Sequence, residues 1–253
     1  MMNKPKSETS GISSSLISLI KADGLGQIAK GSSELGADYL DSMVNELFQD
    51  KVLGEVPALK TIIAGVKVWN GISTYMFVKK LITFLFEIRS ISTEERELFL
   101  ARLDGNKRQE IIDQLAIVLD KHDHLMKSEI QGRLFTGMIK GYLNQNDYLS
   151  LTHSVDQIDV TLLETLKMFY ISDSHHVLSA GDIYSLASLR LVGIDNSEIG
   201  LVGGGGPIYR RNRLGIMLVA IGLRTKIPFD YTESVIGSIE SEKLYAELGY
   251  QHS

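Results

Sequence analysis

The sequence predicts a mainly α-helical protein: N-terminal hydrophobic helices, a central helical pair, and a C-terminal module carrying one short β-hairpin. Three observations lead there. Apolar residues recur at three- and four-residue spacing along most of the first half, as on one face of a helix. Ser92-Thr-Glu-Glu95 spells a capping box, in which a serine hydroxyl and a glutamate carboxylate each bond the other's backbone N–H at a helix start. Two apolar runs, residues 198–202 and 207–209, flank the glycines at 203–206, the pattern of strands around a hairpin loop.

Charged residues make up 23% and hydrophobic residues 44% of the chain, the profile of a packed globular protein rather than a disordered or fibrous one. With no cysteine, disulfides, thiolate zinc sites and cysteine nucleophiles are excluded, and a reducing compartment is expected. The formal charge of −5 argues against a protein that coats nucleic acid over its whole surface, because phosphate binding needs a concentrated positive field. Residues 1–15 are polar and serine-rich, without the apolar core of a signal peptide, and read as a disordered terminus of a cytoplasmic protein.

Residues 16–150 form the expected helical domain. Gly24, Gly26, Gly31 and Gly36 interrupt its beginning, since glycine costs a helix about 1 kcal/mol relative to alanine. Leu40, Met43, Val44, Leu47 and Phe48 then mark a helix face, and Pro57 punctuates the chain after it. Residues 61–88 are the most apolar stretch. Lys67, Lys79 and Lys80 break the run too early for one membrane span, and Gly71 allows a kink near its middle. Two readings stand side by side. The segment is core, or it meets a second copy or a membrane, with Trp69, Tyr75 and Phe77 at the boundary and Lys67, Lys79 and Lys80 reaching toward anionic headgroups. Beyond Ser92 a helix carries Leu98, Phe99 and Leu103 inward as far as Asp104. Helices over 107–121 and 128–143, joined by a short polar link, form an antiparallel pair.

The module at 151–228 begins with helices over 161–170 and 180–192. The hairpin follows, then a last helix from Asn212 with Leu214, Met217, Leu218 and Ile221 on one face, and a tail at 229–253. Leu189-Arg-Leu-Val-Gly-Ile194 closing a helix, a glycine loop, and Tyr209-Arg-Arg-Asn-Arg-Leu-Gly215 leading into a helix resemble the winged-helix modules of bacterial regulators, over residues 155–225. The stretch 171–179 is short for the middle helix of such modules. The resemblance implies either a DNA reader, with Arg190 on the recognition helix and Arg210, Arg211 and Arg213 on the wing, or a docking module for a protein. Residues 155–226 hold seven basic and seven acidic side chains, and that balance favours protein docking.

Other motifs carry less. No Lys-Ser or Lys-Thr follows the glycine quartet, as a P-loop requires, and Gly24-x-Gly26-x-x-Ala29 lacks the strand and helix that give a dinucleotide fingerprint its meaning. His122 and His124 lack a partner at four-residue spacing and read as solvated loop residues, so no metal is expected. His175 and His176 fall in the connection before the second helix of the module and read as a turn or as a pH-sensitive contact. Glu94, Glu95 and Glu97 favour a helix N-terminus without any chemistry. No catalytic residue and no small-molecule cofactor is assigned.

The expected function is that of a non-catalytic intracellular interaction protein, cytoplasmic or peripheral to the inner membrane. It self-associates or contacts a membrane through hydrophobic helices and docks a protein partner through the winged module. A bacterial DNA-binding regulator and a membrane-perturbing effector are the alternatives.

Overall fold

The structure, a computed structural model, describes residues 6–22, 38, 40–42, 44, 71–172, 179–195 and 208–250. The chain is mainly α with one small antiparallel hairpin. It divides into two compact units, Met1–Ile139 and Lys140–Ser253.

In the first unit the helices are α1 (Lys6–Lys21), α2 (Gly71–Ile88), α3 (Thr93–Arg102), α4 (Gly105–Lys121) and α5 (Leu125–Ile139). The most intimate packing is α2 along α5. Gly132 sets that approach: a Cβ there would lie 2.7 Å from the Glu87 Cβ and 2.8 Å from the Phe84 carbonyl oxygen. Phe135 stacks edge-on against Phe84 and Phe99, at centroid distances of 5.5 and 5.7 Å, joining α2, α3 and α5 in one core. The expected capping box is present, with Ser92 and Glu95 bonding each other's backbone N–H. From α3 the buried Arg96 guanidinium donates to the carbonyls of Ile91 and Ala22, both at 2.8 Å, which ties α3 to the end of α1.

Residues 6–15 depart from the expected disordered terminus, because α1 begins at Lys6. Leu16, Leu19 and Ile20 are fully buried, and α1 lies against α3 and α4. Once those three anchor a turn, extending the helix toward the N-terminus adds bonds without a new nucleation cost. His122 also departs from the expected solvated position. It closes α4 while buried, its Nδ1 3.0 Å from the Ser128 hydroxyl.

The second unit holds α6 (Gln145–Gln157), α7 (Leu162–Ile171), α8 (Ala180–Ser188), β1 (Gly193–Asp195), β2 (Ile208–Arg210) and α9 (Arg213–Met217), which continues as a π-helical turn over Leu218–Gly222. Helices α10 (Phe229–Ile236) and α11 (Ser238–Leu248) follow. In the hairpin Ile194 faces Tyr209, and Gly193 and Asp195 face Arg210 and Ile208. The domain boundary lies near 139 rather than 150 because α6 belongs here, its Tyr148, Leu151, Thr152 and Val155 buried and α9 against it. Residues 229–248 are not a tail. Phe229 and Tyr245 stack edge-on at 5.2 Å, and the Tyr245 hydroxyl donates to the Ile227 carbonyl. Helix α8 stops short of 192 because Arg190 turns left-handed at φ +62, and the chain passes into β1 five residues earlier than the strand expected at 198–202. That expected strand, the glycine quartet, His175, His176 and most of 16–70 lie outside the described residues.

Candidate functional site

Of the six residues expected at a membrane or oligomer contact, Lys67 and Trp69 lie outside the described residues. Phe77 and Lys80 are interior side chains, 5% and 8% exposed, and therefore do not form an outer boundary. The reason is local: α2 is covered by α5 and α4, and the Lys80 ammonium donates 2.9 Å to the Asp120 carbonyl near the end of α4. Burial lowers its pKa. Tyr75 and Lys79 sit half-buried around one carboxylate. The Tyr75 hydroxyl donates to Asp41 at 2.9 Å, and Lys79 forms an ion pair with the same carboxylate. The Lys79 contact and then the Tyr75 bond hold the Asp41 carboxyl below its ordinary pKa. All described residues from 77 to 88 except Lys79 are buried, so this half of the apolar stretch is core. Among the described residues no helix is long and apolar enough to cross a membrane, and no group of three or more acidic or histidine side chains is placed to hold a metal.

The four arginines expected to read DNA separate into two pairs. Arg190 and Arg210 are exposed. Arg190 is one residue past the C-cap of α8 rather than on the helix, and Arg210 pairs with Asp195 across the hairpin at 2.5 Å. Arg211 and Arg213 turn inward. Arg211 donates to the carbonyls of Phe169 (3.3 Å) and Ser172 (2.8 Å), capping the orphan carbonyls at the end of α7, and its guanidinium lies 3.7 Å from the Tyr231 ring centroid. Arg213 bridges Asp147 of α6, at 2.9 Å, and Glu240 of α11, at 2.5 Å.

One polar node went unseen in the sequence. The buried Tyr170 hydroxyl donates to the Leu191 carbonyl at 2.7 Å and accepts from the Asn212 backbone N–H at 3.0 Å. Asn212 caps α9 through Gly215 N–H and donates from its side-chain amide to the Arg190 carbonyl, fixing that left-handed turn. Burial raises the Tyr170 pKa. Gly215 is required because any Cβ there would overlap the tyrosine hydroxyl and the Leu191 carbonyl.

The node leaves a defined outer surface. Along α8 the exposed residues are Ala180, Gly181, Tyr184 and Ser188, and the helix's one charge is the acidic Asp182. Tyr184 is 63% and Ile194 of β1 45% exposed. No protein-family model, curated protein or solved structure matches the chain.

Proposed function

We propose that the second unit is a protein-docking module whose contact surface is the outward face of α8 with the stem of the hairpin. The observation that carries this is the distribution of charge. A helix presented to a DNA groove needs cations on its outer face, whereas α8 presents an exposed tyrosine, small residues and one carboxylate. Arg211 and Arg213 spend their charge inside the unit. The order of three helices, hairpin and helix supports a winged-helix reading, because α6 supplies the third helix ahead of the wing. Tyrosine is the kind of rigid, amphipathic anchor that protein interfaces favour.

The experiment is affinity capture from the native source with wild-type chain, Tyr184→Asp and Ile194→Asp, each first shown by circular dichroism to keep its fold. A partner captured by wild type and lost with both variants is expected. A partner retained equally by both overturns the assignment of this surface, and capture of duplex DNA in place of protein favours the regulator.

A further inference from the structure

We infer that the chain pairs with a second copy of itself through α11 in a two-fold arrangement, independently of the α8 surface. A pocket of about 570 Å³ opens beside the turn from α10 to α11, with Tyr142, Met217, Ile236 and Leu244 supplying its apolar wall. At its rim stands Ile239, 85% exposed, the most exposed large hydrophobic among the described residues. An apolar knob next to an apolar hole on one surface is self-complementary. A two-fold axis beside α11 places each Ile239 in the other copy's pocket, since in an isologous interface each contact occurs twice.

Charge supports the same pairing. Arg213 is shared by two carboxylates, Asp147 and Glu240, so the three groups together carry one net negative charge. One helical turn away Lys243 makes no ion pair among the described residues, its ammonium 6.0 Å from the Tyr142 ring centroid. Antiparallel packing of two α11 helices brings Lys243 of each copy to Glu240 of the other. One helix and one pocket per copy form a small contact, below about 1,200 Å² in total, which belongs to weak and reversible assemblies.

The test is sedimentation of the full chain over a concentration series. Wild type is expected to be a monomer–dimer mixture with a dissociation constant in the micromolar range, on the order of 10 to 100 µM for a contact this size. Ile239→Asp should weaken the dimer by more than about 100-fold, because both anchors are lost at once. Lys243→Glu should weaken it several-fold, with the salt dependence of wild-type association reduced. Both side chains are exposed, so unchanged melting curves are expected for both variants. Wild type that stays monomeric at hundreds of micromolar overturns the pairing, as does a dimer indifferent to Ile239→Asp. An added alkyl amphiphile that fills the pocket of a strictly monomeric chain would assign the pocket to a small ligand and equally overturn it.

Discussion

Gly215→Ala is the sharpest perturbation the second unit offers. The new methyl overlaps the Tyr170 hydroxyl and the Leu191 carbonyl, so the ring must withdraw or α9 must lift. Either movement breaks the 2.7 Å bond from Tyr170 to Leu191 and the 3.0 Å bond from the Asn212 N–H. Two buried groups left without partners cost about 1–3 kcal/mol each, and forced repacking adds about 1–3 kcal/mol, for an expected loss near 4 kcal/mol. Hydrogen-exchange mass spectrometry reads each unit by itself. Peptides covering 162–171 and 212–222 should exchange up to about a thousandfold faster while peptides of the first unit stay unchanged. Tyr170→Phe should cost about 2 kcal/mol alone, and in its background Gly215→Ala should cost less, because the hydroxyl it displaces is gone. A loss under about 0.5 kcal/mol, or strict additivity in the double variant, refutes the reasoning.

Gly132→Ala should destabilise the first unit by about 1–3 kcal/mol in urea titration, since the Phe84 backbone cannot yield to the added methyl as a flexible side chain would. Arg190→Gly should stabilise the second unit by about 1 kcal/mol in thermal melts, because φ +62 strains any residue with a Cβ. Lys80 should give a pH signature. Its folded pKa lies below the free-lysine value, so the unfolded chain holds that proton more tightly and stability rises as pH climbs toward about 10. Lys80→Met should remove that rise in stability curves measured between about pH 8 and 10. Arg211→Ala should cost about 1–3 kcal/mol by uncapping α7.

Local signals were legible where one side chain decides the outcome. The capping box at Ser92 and Glu95 and the Asn212 start of α9 are of that kind, each fixed by a hydrogen bond between near neighbours. Helix α6 was missed because its buried stripe is Tyr148, Leu151, Thr152 and Val155, and a reading of aliphatics alone sees half of it. The inward turn of Arg211 and Arg213 could not be read from a run of basic residues. Their partners, Ser172, Tyr231, Asp147 and Glu240, lie tens of residues away, and charge counted along the chain does not distinguish a wing from a clasp. The apolar density of α2 was plain in the sequence, but the extent to which its neighbours cover it was not. Gly132, the residue that lets α5 approach, gives no signal until both backbones are in place.

The central claim is that Arg211 and Arg213 are clasped inside the second unit, and that the exposed pair, Arg190 and Arg210, does not read nucleic acid. Its most direct test is titration of a short duplex with the full chain across a salt series, comparing wild type with Arg190→Ala/Arg210→Ala. Weak binding is expected, with a shallow salt slope that the double substitution leaves unchanged. Tight binding whose log–log salt slope is steep and falls by about one for each arginine removed would contradict it.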